Sequence, residues 1–152
     1  MMRMAGWFGL MCAAIAGNIN AGETAMQIEA MPAFDRDVAL LKKYQEVVVL
    51  SDAASGARVA VVPAYQGRVM TSTAGDGSSF GWINHELVAK GERQPHINVF
   101  GGEDRFWLGP EGGQFSVFFS KDAPFDLFHW QTPAPIDWDT WKAVEMRPDM
   151  AR

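Results

Sequence analysis

Most of the chemistry this chain could do lies in one stretch, HINVFGGEDRFWLGPEGGQFSVFF, residues 96–119. It holds His96, Asn98, Glu103, Asp104, Arg105, Trp107 and Glu111. As a metal site these would offer one imidazole and a few carboxylates. Catalytic zinc takes three ligands in fitting geometry, and neither a His-x-His nor a His-Glu-x-x-His spacing occurs. The other histidines, His85 and His129, are scattered. No metal or other cofactor is expected. Nucleophilic catalysis is equally poorly served, because no cysteine remains outside the apolar N-terminal run. A glycosidase with two carboxylates could use Glu103 with Glu111, or Asp104 with a later acid. Glu103 and Asp104 cannot be that pair themselves, since neighbours on a strand point to opposite faces.

The same residues carry a bland reading and a sharper one. In the bland reading EDRFW is a charged edge strand. Glu103 and Arg105 share a face two residues apart and form a solvated ion pair of little worth. The tryptophans are then core. In the sharper reading the stretch is a polyol site. Sugars are held by aromatic faces and by charged planar groups that clasp vicinal hydroxyls. Arg105 and Trp107 on one strand face, with His96 and Asn98 nearby, supply that set.

These side chains must be positioned by the elements around them. Asp35 sits where an N-cap belongs, ahead of a short helix over Arg36 to Tyr44 that ends in Lys42 and Lys43. From Glu46 the period changes to short β-branched runs, EVVVLS, ARVAVVP and GRVMTSTA, separated by turn chemistry. In the third run Val69, Thr71 and Thr73 should face one way, and Arg68, Met70 and Ser72 the other. FGWIN reads as a strand, and HELVAKGE as a helical turn closed by Gly91. GPEGG between DRFWL and QFSVFF reads as a hairpin, with Phe115, Val117 and Phe119 on one face. Several short strands at this spacing argue for a mainly β fold, an antiparallel β-sandwich with one short N-terminal helix. The strands number too few to close it. The open edge left behind would be covered by a missing C-terminal half or by a partner chain.

Of 152 residues, 48% are hydrophobic, so a packed core is expected rather than disorder. The net charge of -5, without a basic cluster, argues against a nucleic-acid partner. At the N-terminus Arg3 precedes an uncharged apolar run and then Ala14-Ile15-Ala16. That order reads as a signal peptide over residues 1–16, cleaved after Ala16, and the run is too short to span a bilayer. Cys12, the only cysteine, falls inside it, so the mature chain would have no disulfide. Met11 before it argues against lipidation. Residues 17–33 read as a linker and 34–152 as the folded domain. The expected address is periplasmic or secreted, with no membrane attachment after cleavage.

HINVFGGEDRFWLGPEGGQFSVFF also resembles the central motif of galactose mutarotase-like proteins, in which a Gly-Gly turn leads into a strand with Arg or Leu, Trp and a small-Pro-Glu turn. Here those are Gly101-Gly102, Arg105, Trp107 and Gly109-Pro110-Glu111. The upstream VAVVPAYQGRVMTSTA resembles the opening hairpin of that superfamily. The resemblance covers roughly Val47 to Trp141 and implies the N-terminal part of a large antiparallel β-supersandwich that binds or epimerises sugars. It implies an aldose 1-epimerase-like isomerase, or another carbohydrate-active enzyme, in the full-length form. It makes His96, Asn98, Glu103, Arg105, Trp107 and Glu111 the expected carbohydrate contacts. Mutarotases pair a histidine acid with a glutamate base at the anomeric centre. That base comes from a late strand, which this chain ends before reaching. The alternative is a non-enzymatic polysaccharide-binding or structural β-domain.

Overall fold

A computed structural model describes residues 26–152. The signal peptide, its cleavage point, Cys12 and most of the linker lie outside the described residues. The chain divides into Met1–Ala30 and Met31–Arg152. In the first unit the described residues make one helical turn, over 26–29.

The second unit opens with helix α1, Ala33–Tyr44. It starts earlier than expected, and Pro32 rather than Asp35 occupies the N-cap. Proline suits a helix start because the first N–H groups have no intrahelical partner. Asp35 is thereby freed for another contact. Its carboxylate receives both terminal nitrogens of Arg58, at 2.6 and 3.2 Å. Phe34, Val38 and Leu41 form the buried stripe of α1.

Strands β1 (Val48–Ser51), β2 (Arg58–Val62) and β3 (Arg68–Thr73) then build an antiparallel sheet in sequence order. All three were legible as β-branched runs. The expected alternation along β3 breaks, however. Ala60 pairs with Thr71 and Val61 with Val69, which leaves Met70 as an extra residue. This bulge lets Arg68, Met70, Thr71 and Thr73 all be buried. Helix α2, His85–Lys90, is capped by the Asn84 side chain and closed by Gly91 at φ 64°, as expected. β4 (Met146–Arg147) and β5 (Met150–Ala151) make a separate two-stranded ribbon. Both sheets are antiparallel and helices are few.

The main core gathers Leu41, Val62, Tyr65, Met70, Ile83, Leu87, Val88 and Phe100 between α1, α2 and the sheet. Tyr65 and Phe100 stack at 3.9 Å. FGWIN contributes one isolated bridge, Ile83 to Gly101, rather than a strand.

The expected hairpin is not formed. Neither residues 105–108 nor 114–119 are strand. Phe115 and Val117, expected to share a strand face with Phe119, are exposed, and Phe118 is the fully buried residue. The physical reason lies in how the rings meet. They stack on one another across loops instead of lying side by side on a pleated surface.

Candidate functional site

The outer edge of β3 is where the central motif docks. The Val69 N–H donates to the Asp104 carbonyl at 3.0 Å, and the Glu103 N–H to the Val69 carbonyl at 2.9 Å. The Glu103 carboxylate accepts from the backbone N–H and the hydroxyl of Ser72. Glu103 thus acts as a side-chain substitute for strand pairing. The solvated Glu103–Arg105 pair expected on one face does not occur.

Arg105 turns instead towards Asp137. Its Nη1 lies 3.7 Å from Asp137 Oδ1, too far for a hydrogen bond. Asp137 is buried, and its carboxylate is held by Asn98: the backbone N–H at 3.2 and 3.0 Å and the side-chain amide at 2.8 Å. Asn98 is itself 1% exposed. It is therefore a support for Asp137 and not a ligand contact. A second guanidinium lies beneath. Arg68, 3% exposed, donates to the Gly101 carbonyl at 3.0 Å and to the Asp137 carbonyl at 3.2 Å. Burial, reinforced by the charge of Arg105, pushes the Arg68 guanidinium down to about 10. It stays protonated at neutral pH. Burial likewise lowers Arg105 from its ordinary value, against the pull of Asp137 and then Glu111. Gln66 completes the scaffold. Its side-chain amide donates to the Phe106 and Ile136 carbonyls, both at 2.6 Å, tying the two loops together.

Arg105 lies over the Trp107 ring, 3.8 Å from its centroid. Phe118 stacks on the same ring at 5.0 Å, and Trp130 stacks on Phe118 at 4.6 Å. The Trp107 N–H donates to Glu111 Oε1 at 2.8 Å. Trp107 thus meets Arg105 and Phe118 through its ring and Glu111 through its polar edge, and serves as the seat of Arg105. Arg105 makes no hydrogen bond among the described residues, and its side chain is 24% exposed. Its donors face solvent. Glu111, exposed beside them, keeps its second oxygen.

His96 stands apart. Its Nδ1 lies 2.8 Å from the Trp130 carbonyl and 2.9 Å from the Gln131 side-chain nitrogen. A carbonyl can only accept, so Nδ1 is assigned the proton that it donates to Trp130. Nε2 is then the acceptor. His96 lines an open cavity of about 440 Å³ with Asn84, Gln94, Val99 and Leu127. Neither Arg105 nor Trp107 lines that cavity. The six expected contact residues therefore divide into Arg105, Trp107 and Glu111 together, Asn98 and Glu103 as supports, and His96 elsewhere. Among the described residues no group of three or more His, Cys, Asp or Glu could hold a metal ion.

Arg68, Gln66, Asp137, Phe118 and Trp130 were not foreseen. Asp137 carried one weak signal: it is an acid between Ile136 and Trp138 in an aromatic run.

Fold and site together define a domain of small antiparallel sheets with few helices, whose loops seat an arginine on an aromatic stack above a buried carboxylate. The chain belongs to the family of unknown function DUF6786, which matches residues 32–152. No curated protein and no solved structure matches it.

Proposed function

We propose that this chain is an exported carbohydrate-binding protein of the galactose mutarotase-like kind, its antiparallel sheets forming part of a larger supersandwich. The observation that carries the reading is Arg105. A half-buried guanidinium fixed on Trp107, with no hydrogen bond of its own, is oriented in advance to donate to adjacent hydroxyls. Glu111 Oε2 supplies an acceptor at the rim. Export rests on the order Arg3, apolar run, Ala14-Ile15-Ala16. The supersandwich is supported by unusual exposure of large apolar side chains. Phe106, Phe115, Phe125, Leu127 and Phe128 are each at least half exposed, the state expected of a face that further polypeptide covers.

The reading is binding rather than catalysis by this chain. Epimerisation needs two opposed proton-transfer groups, and His96 lines a cavity that Arg105 does not. The ring and N–H contacts that Trp107 already makes favour a second reading, a purely structural β-domain.

Calorimetric titration with mono- and oligosaccharides separates the two. Arg105→Ala should weaken binding about tenfold or more, the loss expected of a charge-assisted donor pair. Absence of saccharide binding, or unchanged affinity in Arg105→Ala, would leave only the structural role. Polarimetry with glucose and galactose checks the isomerase reading, which needs accelerated mutarotation to stand.

A further inference from the structure

No residue of the Arg105 site lines the open cavity of about 440 Å³ beside His96. Its size falls in the range of about 300–1,000 Å³ usual for small-molecule sites. Leu87, Ile97, Val99 and Leu127 give it aliphatic walls, and no Phe, Tyr or Trp is among the described residues that line it. Val99 and Leu127 are 51% and 71% exposed, so these walls stay open to solvent. Within them stands one fixed polar group. The His96 Nδ1 donates to the Trp130 carbonyl at 2.8 Å, and the His96 carbonyl accepts from the Thr132 N–H at 2.9 Å. The Trp130 indole N–H in turn donates to the Thr132 hydroxyl at 2.7 Å, which braces the segment that holds the ring. Nε2, on the far side of the imidazole from that anchor, makes no hydrogen bond among the described residues. It is an acceptor oriented in advance of any ligand. Asn84, also at the cavity, is already committed: its amide donates to the Val99 carbonyl and its oxygen accepts from the Leu87 N–H, both at 3.1 Å. The two charged residues of the lining, Glu86 and Lys90, pair with each other at 2.6 Å and leave the wall without net charge.

We infer that this cavity is a binding site of its own, for a neutral aliphatic alcohol whose hydroxyl donates to His96 Nε2. Aliphatic walls without an aromatic face suit a hydrocarbon body and not the ring of a sugar. A single acceptor among apolar walls selects a ligand that brings one donor, since a ligand without it would leave Nε2 desolvated and unpaired. An ion of either sign would lose hydration against the same walls and find its countercharge already taken in the Glu86–Lys90 pair. The site stands whether or not the Arg105 site takes sugars, because the two share no residue.

The test is titration of the full chain with menthol, menthone and menthylamine, read by calorimetry and by the imidazole ¹⁵N resonances. The three share one hydrocarbon skeleton and differ in carrying a hydroxyl, a carbonyl that only accepts, and an ammonium. Menthol should bind about fivefold or more tighter than menthone, the effect of one hydrogen bond to a group otherwise left unpaired, and should shift the His96 Nε2 resonance. His96→Phe keeps a ring but not the acceptor, and should erase that preference while menthone affinity stays within about twofold. Val99→Asp, at an exposed position, should weaken menthol and menthone alike by about tenfold or more while the chain remains folded by circular dichroism. Equal binding of menthol and menthone by the unaltered chain overturns the hydroxyl assignment. Tightest binding of menthylamine overturns the neutral ligand. Failure of all three to bind, or binding that Val99→Asp leaves unchanged, overturns the site.

Discussion

A Cβ added at Gly101 would lie 2.1 Å from the Trp82 carbonyl oxygen, and one at Gly102 would lie 2.8 Å from the Val69 carbonyl oxygen. Both residues also hold positive φ, 88° and 109°. The glycine pair is thus needed less for turning than for letting the motif press onto β3 and the Trp82 backbone. Gly112, after the motif, has open space around it. Gly101→Ala should therefore cost about 2–4 kcal/mol, from a steric clash and a strained backbone together. Gly112→Ala should stay within about 0.5 kcal/mol of the parent. Urea unfolding with comparison of midpoints at constant slope checks both. Equal effects would mean that the close approach is not what the first pair provides.

Helix α1 is fastened to β2 by the Asp35–Arg58 pair, with the Arg58 guanidinium also lying 4.5 Å from the Phe34 ring centroid. Hydrogen bonds from Arg58 hold the Asp35 carboxyl below its ordinary value, against a smaller opposing effect of burial. The sign follows from linkage. A depressed carboxyl contributes stability that is present above the unfolded-state value of about 4 and is lost as pH falls through the lower folded value. Asp35→Asn should thus be less stable near pH 7 by about 0.5–1 kcal/mol, a figure kept small because both side chains are partly solvated. The gap should close as pH is lowered from about 5 towards 3. A gap that does not change with pH would assign the loss to the helix rather than to the pair. The sequence offered Asp35 as a cap, because position within a helix is local information. That it would instead reach a strand 23 residues later depends on how the helix packs.

At the scale of the whole molecule, two sets of aromatic residues behave differently although their composition is the same. Phe118 is fully buried between Trp107 and Trp130 and joins the 105–107 segment to the 130–132 segment. Phe128 is 77% exposed. Phe118→Ala should cost about 3–5 kcal/mol and shift tryptophan emission, since two indoles lose a stacking partner. Phe128→Ser should leave stability within about 0.5 kcal/mol and reduce uptake of an apolar dye by the exposed face. Dye uptake that Phe128→Ser leaves unaltered would remove that residue from the face. Alternation placed Phe115, Val117 and Phe119 on one face, which presumed a strand. Once the segment is loop, period-2 reasoning no longer selects the buried residue.

By itself the sequence determined what depends on neighbours along the chain. The β-branched runs of β1 to β3, the helical period of α1 and α2, the Gly91 stop and the proximity of Arg105 to Trp107 two residues on are all of this kind. Their causes are propensity, capping and side-chain period, each acting over a few residues. Tertiary structure decided the rest of the site. Asp137 lies 32 positions beyond Arg105 and Arg68 lies 37 before it, yet the three share one buried cluster. Asn98, readable as a ligand contact, is committed to Asp137, and Glu103, readable as part of an ion pair, is committed to Ser72. No local rule brings these groups together, because a buried charge takes its partner from whatever segment the packed core carries past it.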